Sequence, residues 1–288
     1  MNQAATLPAA RPAPVAEFAL TPIDFERVRA LIMQRAGISL HSGKQAMVQG
    51  RLSRRVRKTE HASIAEYLRW LEQLRGAAGE AEWQEFINCL TTNLTAFFRE
   101  EHHFPLLAEA MREHRSAHRG STLRIWCNAA STGEEPYSLA MTAIDTLGAQ
   151  PAVTIMASDI DTSVLDTARR GVYDADARGL TPELLRRHFL RGKGAHHGRI
   201  RIKPELPALI DFRPFNLMDA RWSLGEPFDI VFCRNVMIYF DAETQMRVLT
   251  GMHRAMRPGA LLFAGHSENF SQARSLFRLR GKTVYERL

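Results

Sequence analysis

The segment LRIWCNAASTGEEPYSLAMTAIDTL, residues 123–147, contains the pattern that decides the fold. Residues 123–127 form a short apolar run with β-branched and aromatic side chains, which is typical of a buried strand. A loop of small residues follows, and residues 135–147 then place apolar side chains at helical spacing. A strand that leads through a short loop into a helix is the repeating unit of a parallel sheet covered by helices.

The same alternation continues towards the C-terminus. Three further strands and two further helices are predicted, at 153–157, 228–233 and 261–264 and at 162–170 and 242–256. Before the strand at 228–233 the chain makes a long excursion, in which Arg199-Ile200-Arg201-Ile202 alternates between charged and apolar residues. We interpret residues 192–212 as a small antiparallel β insert. The fold class is therefore α/β, with a mostly parallel sheet.

The chain before residue 95 has a helical pattern throughout. Thr21-Pro22-Ile23-Asp24 combines a capping side chain, a proline at the first helical position and an acid, and this helix is predicted to end at Gly37. Further helices are predicted at about 43–58, from the capping box at Ser63, and at about 80–90. We therefore predict an all-helical domain at 18–95 and an α/β domain at 96–288. Residues 1–17, rich in alanine and proline, are predicted to be a disordered tail.

The composition narrows the class of protein. The 288 residues contain no apolar run long enough to cross a membrane and no signal-peptide pattern at the start, which predicts a soluble cytoplasmic protein. The three cysteines are far apart, and no histidine shows metal-ligand spacing, so we predict neither disulfides nor a metal site. The formal net charge of +7 predicts an acidic partner, which leaves nucleic acid, an anionic membrane and an acidic protein surface open.

Polar residues follow the predicted strands where a ligand binds in an open α/β sheet. The loop at 128–135 has small residues that let backbone approach a ligand, but it lacks a GxGxxG pattern and is equally compatible with a plain turn. Asp159 follows the next strand, where an acid binds ribose hydroxyls in nucleoside sites, while Asp161 or Thr162 is expected to cap the following helix. The spacing of this loop and this acid favours nucleoside binding.

The stretch CRNVMIYF at 233–240 places two polar side chains and a tyrosine after a third strand. Enzymes that methylate the amino groups of bases or of glutamine tend to have Asn-Pro-Pro-Tyr at this place. That pattern is missing here, which argues against a nucleic-acid methyltransferase and leaves other methyl acceptors open.

Five strings, in this order and spacing, resemble the CheR-type chemoreceptor glutamate O-methyltransferases: TTNLTAFFRE (91–100), ASTGEEPYS (130–138), ASDID (157–161), FCRNVMIYF (232–240) and AGHSENF (264–270). The resemblance extends from about residue 20 over nearly the whole chain. It implies a class I, Rossmann-like S-adenosylmethionine methyltransferase domain with an N-terminal helical domain and a β insert. The implied activity is methyl transfer to glutamate carboxylates of methyl-accepting chemotaxis receptors, which serves chemotactic adaptation and leaves S-adenosylhomocysteine.

By this resemblance, nine residues contact the cofactor: Asn93, Thr95, Arg99, Glu134, Asp159, Asn216, Leu217, Arg234 and Asn235. Arg99 suits the methionine carboxylate, Glu134 the methionine ammonium and Asp159 the ribose. Asn216 and Leu217 are expected to flank the adenine. The alternative for Arg99 is a surface arginine that caps a helix. We interpret its neighbours Phe97 and Phe98 as part of a wall over the cofactor rather than as core residues.

The implied reaction needs no general base and no metal, because a glutamate carboxylate with a pKa near about 4.3 is ionised at neutral pH. The resemblance places Arg99 and Tyr239 near the transferred methyl group, where we expect them to position the acceptor. Two rival functions remain open, a nucleic-acid methyltransferase and a scaffold that binds S-adenosylmethionine without transferring its methyl group.

Two surfaces are predicted to bind the receptor at its cytoplasmic domain, with no nucleic acid bound and no insertion into the membrane. The first is the basic face of the second helix, formed by Arg51, Arg54, Arg55 and Lys58, for which the alternative is a merely solvated face. The second is the β insert, which resembles a subdomain that binds a tether peptide at the receptor's C-terminus. Such contacts would recruit the protein to membrane-bound receptor arrays.

Overall fold

The N-terminal part of the molecule is a bundle of four helices. The computed structural model describes residues 18–288, so the predicted tail at 1–17 lies outside the described residues. The helices are α1 (Pro22–Ala36), α2 (Gln45–Lys58), α3 (Ile64–Gln73) and α4 (Gly76–Leu90). Their packed faces share one hydrophobic core, to which α2 contributes Val48, Leu52 and Val56.

The predicted helix ends of this bundle are local features, and the structure bears them out. The Thr21 side chain accepts a hydrogen bond from the backbone of Asp24, and α1 ends at Gly37 with a φ of +68°. Ser63 caps α3, and the Glu66 carboxylate accepts a hydrogen bond from the Ala62 backbone at 2.7 Å. Each cap satisfies backbone groups that a helix end leaves unpaired.

The remainder of the chain alternates strands and helices. In order these are α5 (His103–Ala117), β1 (Leu123–Cys127), α6 (Glu134–Leu147), β2 (Val153–Asp159), α7 (Thr162–Arg170), β3 (Val172–Asp174), α8 (Pro182–His188), β4 (Phe189–Arg191), β5 (Arg199–Ile202), β6 (Ile210–Pro214), β7 (Phe228–Cys233), α9 (Ala242–Ala255), β8 (Met256–Ala264), β9 (Phe277–Gly281) and β10 (Val284–Arg287). The bounds of β1, β7 and α7 agree with the sequence pattern. The final strands β9 and β10 are not indicated by it.

The main sheet has seven strands in the order β6-β2-β1-β7-β8-β10-β9. The five strands from β6 to β8 are parallel, and β10 and β9 add an antiparallel edge, which confirms the predicted mostly parallel sheet. The chain runs outward from β1 to β6 and then returns to place β7 beside β1. Cys127 pairs with both Ala157 and Phe232, so the loops after β1, β2 and β7 leave the sheet together. This reversal of strand order is where open α/β sheets bind ligands.

The small antiparallel insert exists, but its predicted boundaries are wrong. It is a three-stranded sheet in the order β3-β5-β4 and therefore begins at Val172 rather than at residue 192. Residues 210–212, which the prediction assigned to the insert, belong to β6 and pair in parallel with β2. The alternation in β5 marked its buried Ile200 and Ile202 correctly, but β3 and β4 are three residues long and are defined by pairing with β5 rather than by a pattern of their own.

The segment between the two domains packs tightly against the insert. Phe97 is 1% exposed and makes edge contacts with the rings of Tyr173 and Phe189. Phe98 packs on Phe104 in the same core. The part of the interpretation that keeps these two phenylalanines out of the core is therefore wrong, because the insert supplies aromatic partners for Phe97, and α5 supplies one for Phe98, that the local sequence does not reveal. At Gly179, with a φ of +91°, an added Cβ would lie 1.9 Å from the Phe97 carbonyl oxygen.

Within the described part of the chain, no helix has both the length and the apolar character that crossing a bilayer requires.

Candidate active site

A cavity of about 280 Å³ lies at the carboxyl end of the parallel strands, against the helical domain. Its walls come from both domains: residues of the α1–α2 connection, the segment that joins the domains, and the loops after β1, β2, β6 and β7. Its size is near the lower end of the range for small-molecule sites, about 300 to 1,000 Å³. The helical domain is therefore a structural part of the site.

The segment that joins the domains is fixed to the sheet by Asp161. One carboxylate oxygen of Asp161 caps α7, and the other accepts hydrogen bonds from the Thr91 hydroxyl at 2.6 Å and the Asn93 amide at 2.7 Å. The Asn93 carbonyl accepts a further bond from the Ser131 hydroxyl at 3.0 Å. Asn93 and Thr95 both line the cavity, and their contact with the cofactor stays a prediction.

Because Asp161 is the helix cap, Asp159 can face the cavity at the end of β2. The Asp159 carboxylate is buried and accepts backbone hydrogen bonds from Ser131 at 2.8 Å and Asp161 at 2.9 Å. Burial raises the pKa of Asp159 to about 6 even though these bonds favour the ionised form. The predicted contact with ribose hydroxyls stays a prediction, and the position of the carboxylate is compatible with it.

Arg99 and Arg234 meet at the cavity wall in different roles. Arg99 lines the cavity, and its guanidinium donates to the Leu94 carbonyl at 2.9 Å. The Arg234 side chain also lines it but is 1% exposed, lies 3.0 Å from the Glu135 carboxylate and 3.7 Å from that of Glu100, and donates to the Arg99 carbonyl. Arg234 thus supports the Arg99 backbone from the protein side.

Glu135, and not the predicted Glu134, is the glutamate that lines the cavity. The Glu134 carboxylate instead accepts a hydrogen bond from the Thr132 hydroxyl at 2.6 Å. Consecutive residues on a helix point about 100° apart, so only one of the two can face the cavity, and the sequence does not distinguish adjacent glutamates. Burial raises the pKa of Glu135, whereas the neighbouring Arg234 favours its ionised form.

Asn216 and Leu217 line the opposite side of the cavity. The Asn216 amide donates to the Arg35 carbonyl at 2.8 Å, which ties the loop after β6 to α1. The Asn216 side-chain oxygen accepts from the Met218 backbone at 2.9 Å. Leu217 presents a buried apolar side chain, so this wall combines a polar and an apolar residue. The predicted contact of these two residues with the adenine stays a prediction.

Asn235 and Tyr239 line the cavity from the loop after β7. The Tyr239 carbonyl accepts a hydrogen bond from the Ser39 backbone at 2.8 Å, which joins this loop directly to the helical domain. Buried Glu268 holds the loop from the other side, because its carboxylate accepts from the backbones of Val236 at 3.0 Å and Met237 at 2.8 Å. Sequence reasoning missed this role, although Glu268 lies within AGHSENF.

The predicted basic face of α2 is divided. Arg51 donates to the Leu90 carbonyl at 2.9 Å, at the C-terminal end of α4. The Arg55 side chain is 11% exposed and forms ion pairs with Glu82 and Glu85. These two arginines hold α2 against α4, so the prediction that they face a partner needs correction. Of the four residues of the predicted face, only Arg54 and Lys58 are exposed.

One cluster in the described residues has the composition of a metal site: single ligand atoms of Glu100, His102 and His103 lie within 4.8 Å of one another. The buried Arg234 guanidinium lies beside the same Glu100 carboxylate and opposes a bound cation there. Burial, together with Arg234, lowers the pKa of His103 to about 4. The absence of a metal from the reaction stays a prediction.

The donor set of the cavity fits a nucleoside that carries an amino acid. Asp159 offers a carboxylate to hydroxyl groups, while Glu135 and Arg99 offer opposite charges to an ammonium and a carboxylate. The buried Asn128 side-chain oxygen, in the same wall, has no hydrogen-bond partner in the structure. Leu217 and Phe215 supply the apolar surface that a purine needs.

Comparisons with known proteins agree with this geometry. The family model described as CheR methyltransferase, SAM binding domain, matches residues 93–286, and that of the CheR methyltransferase all-alpha domain matches residues 23–91. The chain is 51% identical to the chemotaxis protein methyltransferase of Escherichia coli K12, over 93% of this chain and 91% of that one. It is 52% identical to the corresponding protein of Klebsiella aerogenes, with coverages of 92% and 90%. It is 50% identical to chemotaxis protein methyltransferase 2 of Pseudomonas aeruginosa, with coverages of 97% and 99%. The chain therefore belongs to the CheR methyltransferase family, and its cofactor is S-adenosylmethionine.

Proposed function

We propose that the protein transfers the methyl group of S-adenosylmethionine to glutamate side chains on the cytoplasmic domain of chemotaxis receptors and so forms methyl esters. The observation that carries this proposal is a cofactor cavity with a wall made by a separate helical domain. A small acceptor would not need such a wall, whereas a protein acceptor needs a surface beside the cavity. The relatives are chemotaxis protein methyltransferases, which favours a receptor as that acceptor.

The reaction requires the protein to align the acceptor carboxylate with the methyl group, and it does not require the protein to transfer a proton. Bound S-adenosylmethionine supplies a methyl group on a positively charged sulfur, and the acceptor carboxylate is already ionised at neutral pH. The task of the protein is to hold the carboxylate in line and to exclude water. Tyr239 and Arg99 line the cavity with groups that can donate to a carboxylate, and we assign them this positioning role.

Two surfaces support recognition of a receptor. Arg54 and Lys58 are exposed on α2 and can complement acidic side chains of a receptor helix, while Arg51 and Arg55 hold α2 in place. In the insert, β3 and β4 each pair only with β5 among the described residues, so each leaves an edge to which an extended tether peptide can add. Binding of this kind would recruit the protein to receptor arrays.

Labelled methyl transfer tests the proposal. Purified protein, S-adenosylmethionine labelled in its methyl group, and membranes that contain a chemotaxis receptor are expected to yield a labelled receptor, from which mild alkali releases the label because esters hydrolyse. A receptor with glutamine at its acceptor positions is the control and is expected to stay unlabelled. Transfer to nucleic acid, label that resists alkali, or cofactor binding without transfer would each overturn the proposal.

A further inference from the structure

Two large aliphatic side chains are exposed to solvent at the rim of the cofactor cavity. Leu94 is 79% exposed and Ile238 is 47% exposed, and both line the cavity. They come from different parts of the chain, the segment that joins the domains and the loop after β7. A residue that lines a cavity and is also exposed lies at its opening, where an acceptor must enter.

Leu94 is exposed on a firmly held backbone. Its carbonyl accepts from the Arg99 guanidinium at 2.9 Å, and the preceding Asn93 is bonded through both its side chain and its carbonyl. Further along, the Phe97 backbone donates to the Arg178 carbonyl at 3.1 Å. The backbone from which the Leu94 side chain extends is therefore held in place before any partner binds.

The backbone around Ile238 is also held by hydrogen bonds. The backbones of Val236 and Met237, just before it, donate to the buried Glu268 carboxylate. The Met237 carbonyl accepts from the Gln245 side chain at 2.9 Å, and the Tyr239 carbonyl from the helical domain. An aliphatic side chain on such a fixed loop loses little backbone freedom when a partner covers it.

The charge around the opening indicates the kind of partner. Exposed Lys44 and partly exposed Arg99 line the same cavity, so the rim combines two cations with two aliphatic side chains. An acidic residue flanked by apolar residues complements this arrangement. On a helix, residues three or four positions from a glutamate lie on its own face, about 5 to 6 Å away between Cβ atoms.

We propose that Leu94 and Ile238 bind apolar side chains that lie one helical turn on either side of the acceptor glutamate, and that they thereby select which glutamates are methylated. The inference rests on the proposed function, because it assumes a helical protein acceptor. It assigns acceptor choice to the rim of the cavity, whereas Arg54 and Lys58 on α2 would act at a distance from it.

Serine substitutions at the rim test this directly. Leu94→Ser, Ile238→Ser and the double variant are compared with Leu279→Ser, a matched control at an aliphatic residue that is 59% exposed on β9 and does not line the cavity. We expect each rim variant to raise the KM for a receptor cytoplasmic fragment severalfold, and the double variant to raise it by about tenfold or more. The kcat and the Kd for S-adenosylmethionine are expected to change less than about twofold, because the backbone groups that hold Arg99 are retained.

A receptor fragment with serine in place of the apolar residues one turn from an acceptor glutamate completes the test. Wild-type protein is expected to lose affinity for this fragment, and the double variant to be indifferent to the change, which is the signature of a direct contact in a double-mutant cycle. Additive effects, or an unchanged KM in the double variant, would overturn the inference. Failure of wild-type protein to methylate the unaltered fragment would instead overturn the proposed function.

Discussion

The helix α2 and the cavity wall both contain arginines close to glutamates, yet these arginines serve different purposes. On α2, Arg51 and Arg55 join two helices, whereas Arg54 and Arg57 are exposed. At the cavity, Arg234 is buried between two carboxylates while Arg99 faces the ligand space. In each region some arginines stabilise the structure, while a neighbouring arginine faces away from it. A sequence rich in arginine therefore predicts positive charge, but it does not predict which arginines form contacts within the fold and which remain available to a ligand.

The largest effect is expected where the supporting arginine is fully buried. Arg234→Met removes the positive charge between Glu100 and Glu135, and leaving the buried Glu135 carboxylate without its cationic partner typically costs about 3 to 5 kcal/mol of unfolding free energy. Urea unfolding followed by circular dichroism measures this loss. Arg99→Met is the matched control and should cost only about 1 kcal/mol, because the partly exposed Arg99 side chain loses one hydrogen bond, to the Leu94 carbonyl. Equal stability of the two variants would contradict the division into supporting and ligand-facing residues.

The same comparison applies to α2, with a smaller expected difference. Arg55→Ala leaves the buried Glu82 carboxylate without its cationic partner, with only the Tyr67 hydroxyl still donating to it, and should lower the unfolding free energy by about 2 to 3 kcal/mol. Arg54→Ala, one residue away and exposed, should change it by less than about 0.5 kcal/mol while raising the KM for a receptor fragment. If Arg54→Ala left receptor binding unaltered, α2 would lose its place in the proposed recognition surface.

Arg99 itself is expected to act on the ligand rather than on the fold. Arg99→Ala should weaken binding of S-adenosylmethionine by about tenfold or more, the loss that follows from removing one charge-assisted hydrogen bond. Isothermal titration calorimetry gives the Kd, and Arg54→Ala serves as a control that should bind the cofactor normally. An unchanged Kd for Arg99→Ala would remove Arg99 from the cofactor site.

The pH dependence of cofactor binding tests the predicted contact between Asp159 and the ribose. Its pKa is raised to about 6, so the carboxylate of the cofactor-free protein takes up a proton as the pH falls through 6. If ribose hydroxyls donate to the ionised form, cofactor affinity is constant above this pH and falls by up to about tenfold per pH unit below it. Asp159→Asn should bind more weakly and lack this dependence. A wild-type Kd that does not change between pH 7 and pH 5 would contradict the assignment.

The raised pKa of Asp159 also makes the stability of the cofactor-free protein depend on pH. Since the folded protein holds the Asp159 proton more tightly than the unfolded chain does, ionisation of Asp159 disfavours the fold above about pH 6, and this cost is relieved as the pH falls from 6 towards 4. Bound cofactor is expected to reverse the trend, because hydrogen bonds to the ionised carboxylate lower its pKa.

The local sequence was sufficient to predict a structural feature wherever all the interacting residues lie within one helix or strand and its ends. The caps at Thr21 and Ser63 and the end of α1 at Gly37 involve residues within a few positions of one another, and the structure has them as predicted. The strands β1 and β7 are mostly buried and consist of apolar residues apart from Arg124 and Asp229, which is why their bounds could be predicted. The polar residues that follow them were found for the same reason.

The sequence by itself determined the alternation of strands and helices in the parallel part of the sheet, the family and the cofactor, because these depend on short continuous stretches. Only the tertiary structure decided that Glu135 rather than Glu134 lines the cavity, that Phe97 is core, and that Arg55 belongs to the α2–α4 contact. Each of these depends on a partner far along the chain: Arg234 for Glu135, Tyr173 for Phe97 and Glu82 for Arg55. The direction of a side chain is set by the surface it packs against, and that surface exists only once the chain has folded.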